Sequence, residues 1–160
     1  MANRKLLDDV DELFVDSPTW TSETKTVGIE CHQFLKKIDD KKIIETPRFK
    51  LAGVKFFIRI WTDYQSSGFV RVDLVHGHGS DNDKDQTSSG CFSEGSGARK
   101  NWEMKAIGVN NGWGFKKFLT HEKYRAWAKD NGDVFKVRAE VTLHTKVDTA
   151  EDGWTRYCYC

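Results

Sequence analysis

Residues 134–143 read Val-Phe-Lys-Val-Arg-Ala-Glu-Val-Thr-Leu, and this stretch decides the fold class of the chain. Apolar and polar residues alternate along it without a break. One face carries Phe135, Val137, Ala139, Val141 and Leu143, and the other carries Lys136, Arg138, Glu140 and Thr142. A period of two residues is typical of a strand that is buried on one face and solvated on the other. The stretch therefore predicts a strand of an antiparallel sheet.

Three stretches upstream predict further strands. Residues 69–75 (FVRVDLV) alternate in the same way, and residues 55–61 (KFFIRIW) and 26–30 (TVGIE) are short and rich in β-branched or aromatic residues. A turn signal, Asn131-Gly132, precedes the last strand. The predicted fold class is all-β, an antiparallel β-sandwich.

The remaining segments predict little regular structure. Residues 120–129 (THEKYRAWAK) favour one short helix, and residues 4–14 favour an amphipathic helix that ends before Pro18. Residues 76–101 are crowded with Gly, Ser and Asp, which predicts a long, exposed and flexible loop. The expected organisation is an N-terminal helix and linker over 1–25, the sandwich over 26–147 and a C-terminal tail over 148–160.

Charge and hydropathy exclude several classes of partner. The 160 residues include 25 Lys and Arg against 24 Asp and Glu, a formal net charge of +1, which disfavours nucleic acid as a partner. The apolar runs fall short of the roughly 20 residues that a membrane span needs. The N-terminus places acidic residues where a secretory signal needs an apolar stretch. We expect no nucleic-acid or membrane partner and a cytoplasmic or nuclear location.

No motif predicts a metal site, a cofactor site or a catalytic site. The four cysteines are Cys31, Cys91, Cys158 and Cys160; free thiols are favoured, and a terminal metal site stays open. The acidic residues at 81, 83 and 85 lack the Gly and Glu of a calcium loop, and the two histidines at 76 and 78 lack zinc-site spacing. A nucleophile elbow, a phosphate loop and a zinc-protease helix are all missing from the sequence. We expect no cofactor, no metal and no enzymatic activity.

Residues 112–118 (GWGFKKF) resemble the WGF-x-x-F signature of meprin and TRAF homology domains, known as MATH or TRAF-like domains. Upstream, residues 46–49 (TPRF) and Gly53 are similar to the family's Ser-Pro-x-Phe element and the glycine after it. Downstream, Gly132-Asp133 is similar to the start of its final strand. These segments keep the family's order over residues 27–145. The resemblance implies a TRAF-like β-sandwich of seven to eight strands.

The resemblance also implies a function. MATH domains dock short extended peptides of partner proteins against one sheet edge, in ubiquitin-related and TRAF-type signalling adaptors. The peptide-binding residues that it implies here are Trp113, Phe115, Gly112, Asp73, Lys105 and Lys116. Trp113 and Phe115 are expected to form the floor of the groove, and Phe118 is expected in the core.

The other implied positions affect which peptide is preferred. Gly112 stands where many members have an Asp, and Asp73 falls where ubiquitin-ligase adaptors of the family have a groove-lining Tyr. Lys105 faces the groove if its strand keeps the usual register. Lys116 and its neighbour Lys117 are expected at the rim, where they steer an acidic ligand.

Two other functions stay open at this point. One is an oligomeric structural or assembly domain of TRAF type, with self-association through the N-terminal helix. The other is a carbohydrate-binding β-sandwich in which exposed Trp faces stack on sugar rings.

Overall fold

The computed structural model of the chain describes residues 19–76, 86–107 and 112–147. The strands in these ranges are β1 (Thr19–His32), β2 (Ile43–Glu45), β3 (Phe49–Leu51), β4 (Val54–Trp61), β5 (Phe69–His76), β6 (Gln86–Glu94), β7 (Arg99–Ala106), β8 (Gly112–Thr120) and β9 (Val134–Val147). The helices are α1 (Phe34–Asp39) and α2 (His121–Asn131), and a short 3₁₀ turn spans Tyr64–Ser66. Neither helix is long and apolar enough to cross a membrane.

The chain divides into two compact units. One unit is residues 22–145, and it contains all the features discussed below. The other comprises residues 1–21 and 146–160, of which the structure describes 19–21 and 146–147. The helix expected over 4–14 and the tail expected from 148 lie outside the described residues, so both stay predictions.

Two sheets make up the larger unit. Sheet I has the strand order β1-β9-β6-β7, and sheet II has the order β2-β4-β5-β8, with β3 also pairing with β4. Within sheet II the pairs are antiparallel, and β6 is antiparallel to both of its neighbours in sheet I. Of the nine described strands, β2 and β3 are three residues long and share β4 as their neighbour, so the count exceeds the predicted seven to eight. The predicted all-β class with mostly antiparallel sheets is confirmed.

Alternation along the strands builds the core between the sheets. The five apolar residues of β9 that define its inner face are all buried, while Lys136, Arg138 and Glu140 are exposed. From sheet II, β4 and β5 supply Phe56, Ile58, Ile60, Val70, Val72 and Leu74, none of which has accessible surface. The buried faces are therefore the ones that the period-two pattern predicts, and the hydrophobic effect stabilises their packing. Phe118 is 3% exposed and belongs to the core, as expected.

The loop predicted over residues 76–101 is wrong from residue 86 onward. Residues 86–94 form β6, and β7 begins at Arg99. This segment is low in hydrophobic residues, and the structure shows why. Strand β6 lies between β9 and β7, so it needs few large side chains of its own. A Cβ on Gly90 would lie 2.4 Å from Trp102, so the missing side chain makes room for that indole.

A buried carboxylate shapes the turn between β6 and β7. The Glu94 Oε1 atom accepts hydrogen bonds from the backbone N–H of Ser96, at 2.8 Å, and from the Ser96 hydroxyl. Its Oε2 atom is buried and has no partner among the described residues. Burial raises the pKa of the Glu94 carboxyl, while the Ser96 hydrogen bonds and nearby Lys123 of α2 partly oppose the rise. The ionised form is therefore disfavoured in the folded state.

This raised pKa predicts a pH-dependent effect of Glu94→Gln. Because the folded-state pKa lies above the unfolded value, the native protein is destabilised as pH rises from that unfolded value through the folded one. The variant carries no titrating group at this position. We expect its free energy of unfolding to increase relative to the wild type between pH 4 and pH 7, measured by urea denaturation. A difference that stays constant over this range would contradict the assignment.

Asp133 connects the chain before β9 to α2 and to α1, and Leu35 of α1 is 98 residues away in sequence. Its two carboxylate oxygens accept from the backbone N–H of Leu35, at 3.1 and 3.2 Å, and its Oδ1 atom accepts from the Tyr124 hydroxyl at 2.8 Å. Its backbone carbonyl accepts from the Gln33 N–H at 2.9 Å. The carboxylate thus lies at the N-terminus of α1, where N–H groups lack intrahelical partners. Burial and Asp133 together raise the pKa of Tyr124, which stays a hydrogen-bond donor.

Helix α2 agrees with the sequence, whereas α1 was missed. The Thr120 side chain accepts from the Lys123 N–H at 3.1 Å and caps α2, and Gly132 ends it with a φ of 81°. Helix α1 is six residues long, and its buried residues Phe34 and Ile38 are four apart. That spacing was the available signal. Tertiary contacts stabilise α1, including Phe34 stacked on Phe135 at 4.3 Å.

Asp133→Ala is expected to destabilise the protein more than Tyr124→Phe. The first change leaves the α1 N–H group and the Tyr124 hydroxyl without their acceptor, which costs about 2 to 3 kcal/mol. The second removes only one hydrogen bond, worth about 1 kcal/mol. Chemical denaturation of both variants tests this order. Equal losses would show that the bonds to the α1 terminus contribute nothing.

Candidate functional site

Strand β8 lies at the edge of sheet II. It pairs with β5 through Val72↔Phe115, Asp73↔Gly114 and Leu74↔Trp113, and no other described strand pairs with it. An edge strand presents unpaired N–H and C=O groups that can pair with another extended chain. The resemblance placed its peptide groove on this strand.

Four aromatic residues form a cluster beneath this edge, and we call it the edge cluster. Its members are Phe92 of β6, Trp102 of β7, and Trp113 and Phe115 of β8. The Trp102 ring lies 5.9 Å from Trp113 and 6.5 Å from Phe115, and Phe92 lies 5.0 Å from Trp102. Phe92 and Trp102 are buried, whereas Trp113 and Phe115 are half-buried.

Trp113 and Phe115 therefore point between the sheets and not away from them. Trp113 also contacts the His76 ring, at 5.3 Å. The Trp113 Nε1 atom is buried and donates to no acceptor in the described part of the chain, whereas Trp102 Nε1 donates to Ser88 Oγ at 3.0 Å. A buried N–H without an acceptor costs free energy, so it marks a place where an added acceptor stabilises the protein.

Asp73 lies on the outer face of sheet II, and both of its carboxylate oxygens are engaged. Oδ1 accepts from Arg71 Nε at 2.6 Å, and Oδ2 accepts from Trp61 Nε1 at 2.9 Å. The side chain is 9% exposed. The charge of Asp73 is balanced inside the protein by Arg71, so its main effect is to hold Arg71 and Trp61 in place.

Glycines on β8 make room for this carboxylate. A Cβ on Gly114 would lie 1.7 Å from Asp73 Oδ1, and a Cβ on Gly112 would lie 2.2 Å from the Leu74 carbonyl oxygen. Gly112 also has a φ of 152°. The two glycines let β8 approach β5 and leave its outer face bare at these positions.

A shallow pocket of about 180 Å³ opens beside these glycines, and we call it the outer pocket. Its lining is Arg59, Arg71, Asp73, Leu74, Val75, Gly112 and Trp113. Arg59 donates through Nε to Glu45 at 2.9 Å and lies over the Phe57 and Trp61 rings. Arg71 lies 4.5 Å from the Tyr64 ring centre. These contacts orient both guanidinium groups. Each group forms its ion pair through its Nε atom.

The structure brings some of the six predicted residues together. Trp113, Gly112 and Asp73 line the outer pocket, and Phe115 joins Trp113 in the edge cluster. Lys116 is exposed on β8, and Lys105 is exposed on β7 of the other sheet. Neither lysine side chain forms a hydrogen bond, an ion pair or a cation–π contact with the other four residues.

Sequence reasoning missed Arg59, Arg71 and Trp61. The signal was present in residues 55–61, where Phe57, Arg59 and Trp61 alternate with buried residues and so share the outer face. Whether such residues form a network depends on strand register, since Asp73 meets Arg59 only through the β4–β5 pairing.

Comparison with known proteins adds no assignment. No family model matches the chain, and no curated protein matches it. Within the described ranges, His, Cys, Asp and Glu side chains form no group of three or more that is placed to hold a metal ion.

Gly114→Ala tests the close approach of β5 and β8. The added methyl group overlaps the Asp73 carboxylate, so we expect a loss of about 1 to 3 kcal/mol in the free energy of unfolding. Gly28→Ala on β1 is the matched control, because nothing lies within 4 Å of its added Cβ. Equal stability of the two variants would show that Asp73 moves away from Gly114 without penalty.

Proposed function

We propose that this chain is a TRAF-like interaction module that docks a short extended peptide of a partner protein along the free edge of β8. The proposal rests on one observation: β8 is an edge strand, and it carries the half-buried side chains of Trp113 and Phe115. A peptide added as a further strand gains backbone hydrogen bonds, and its alternate side chains reach opposite faces.

The two faces of β8 offer different contacts to such a peptide. On the inner side, the half-buried Trp113 and Phe115 of the edge cluster provide aromatic surface. On the outer side, the outer pocket presents Arg59 and Arg71. The favoured ligand therefore has an apolar side chain on one face and an acidic side chain on the other.

The carbohydrate alternative has less support. Stacking on sugars needs exposed aromatic faces, and of the five described Trp side chains Trp20 alone is exposed, while the other four are buried or half-buried. The outer face of Trp61 is also occupied, since Arg59 and Tyr64 contact its ring. The assembly alternative depends on residues 4–14, outside the described part of the chain.

A titration with short Ser/Thr-rich and acidic peptides tests the proposal. We expect selective NMR shifts of the Trp113 indole N–H and of the backbone amides of residues 112–116. Trp113→Ala should weaken binding by about 2 kcal/mol if the indole is a hot spot. Trp113→Phe is the companion variant, because it keeps an aromatic ring in the edge cluster while it removes the Nε1 donor and reduces the ring area. Unchanged affinity in both folded variants would refute the groove.

Paired peptides that differ by one Glu-to-Gln change test the acidic preference. We expect Arg59→Gln to weaken binding of the Glu peptide about tenfold and to leave the Gln peptide unaffected, in line with the loss of one charged hydrogen bond. Arg125→Gln is the matched control, because Arg125 is exposed on α2 and does not line the outer pocket. If both variants weaken binding of the Glu peptide equally, the preference reflects general charge attraction and not the outer pocket.

A further inference from the structure

The outer face of sheet I carries a second constellation, away from β8. Along β6 the outward residues are small: Ser89, Cys91 and Ser93 are half-buried, while Phe92 and Glu94 between and beside them are buried. Strands β9 and β7 flank β6 on either side. Their outward side chains are longer, so β6 forms the floor of a trough in this face.

Two arginines flank one residue of that floor. Ser93 pairs with Arg99 of β7 and with Arg138 of β9, so the three residues form one row across the sheet. The two arginine Cα atoms are separated by two strand spacings, about 10 Å, a gap that two arginine side chains can span. A pocket of about 190 Å³ lies here, lined by Cys91, Ser93, Arg99, Arg138 and Glu140.

The arginine pair, Arg99 and Arg138, has no counter-ion among the described residues. Neither arginine forms an ion pair with a described residue, whereas Lys136 on the same face of β9 pairs with Glu30 at 3.9 Å. Glu140 lies in the next row, opposite Cys91, and forms no ion pair with either arginine. Two positive charges thus flank the Ser93 hydroxyl, and Glu140, the acidic side chain that lines the pocket, pairs with neither arginine. The row of Ser93 therefore carries an excess of positive charge that favours an anion.

We propose that the arginine pair and Ser93 bind a phosphate monoester, carried as a phosphorylated side chain by a partner protein. One guanidinium fork satisfies both oxygens of a carboxylate, so a second arginine on the far side would be left over. A phosphate monoester has three terminal oxygens and a charge of about −1.5 to −2 at pH 7. It accepts from both guanidinium groups and from the Ser93 hydroxyl at once.

The surroundings favour a protein segment over a membrane. Next to the arginine pair, Lys136 is paired with Glu30, and Glu140 lines the pocket. Farther along this face the side chains are neutral and polar: Ser22 bonds to His144, Thr24 to Thr142, and His144 to Ser89. Binding to an anionic lipid surface uses clusters of about four to eight basic residues or an apolar insertion, and this face has a single arginine pair. The flat trough along β6 instead accommodates an extended chain.

The test compares the capped peptide acetyl-Gly-phosphoserine-Gly-amide with its unphosphorylated twin. We expect the phosphorylated peptide to shift the amide signals of residues 91–93 and the side-chain Nε–H signals of Arg99 and Arg138, and its twin to shift none of them. Arg99→Gln and Arg138→Gln should each weaken binding at least fivefold. Both positions are exposed, so the variants are expected to fold, and circular dichroism checks this.

Lys136→Gln is the matched control. It removes the same charge from the same face of β9 but does not flank Ser93, so we expect little change in affinity. Similar losses in Lys136→Gln and Arg138→Gln would overturn the site in favour of general charge attraction. Absence of shifts at residues 91–93 in the wild type would overturn it as well.

Two further probes separate the sources of phosphate. Inorganic phosphate should shift the same signals more weakly than the phosphopeptide, because it lacks the chain that lies in the trough. Equal or tighter binding of inorganic phosphate would overturn the protein-borne ligand. Vesicles that contain a phosphoinositide should not bind; binding that depends on Arg99 and Arg138 would replace the phosphoprotein with a membrane as the partner.

Discussion

Strand β8 takes its place beside β5 only because it has no side chains at positions 112 and 114. Any Cβ at Gly112 would overlap the Leu74 carbonyl oxygen, and one at Gly114 would overlap the Asp73 carboxylate. The same absence lets Asp73 lie against the sheet, where it holds Arg71 and Trp61. The edge, the edge cluster and the outer pocket all depend on this close approach, so the candidate site is a consequence of backbone packing.

The two sheets present outer faces of contrasting chemistry. On sheet II, arginines lie over aromatic rings and are tied to Glu45 and Asp73, which leaves an ordered and nearly charge-balanced surface. On sheet I, Arg99 and Arg138 flank small residues and have no ion-pair partner among the described residues. Arginines held in fixed orientations by their own ion pairs suit hydrogen bonding to a single carboxylate, whereas an arginine pair without ion-pair partners suits a group of higher charge, such as a phosphate monoester. The two proposed sites would therefore select different features of their partners.

The β6–β7 hairpin shows where composition misleads. Residues 86–94 contain one large apolar residue, Phe92, and were interpreted as a loop because such a segment buries little area on its own. In the folded unit, β9 and β7 supply hydrogen-bond partners on both sides of β6, and Trp102 fills the space above Gly90. The strand is stabilised by its neighbours, and a sequence read one segment at a time does not reveal them.

Local patterns in the sequence were sufficient for the elements that stabilise themselves or show an unbroken period. The alternation in residues 134–143 identified β9 and its buried face, and residues 120–129 with the Asn131-Gly132 turn signal after them identified α2. A resemblance carried by residues 112–118 also pointed to Trp113, Phe115 and Asp73 as candidate site residues.

Only the tertiary structure decided what depends on contacts between distant residues. Strand register set Asp73 opposite Gly114 and Ser93 between two arginines, and Asp133 stabilised a six-residue helix that is too short to form alone. The physical reason is that local propensity acts over a few residues, whereas register, edge position and charge pairing are set by packing across the whole sheet.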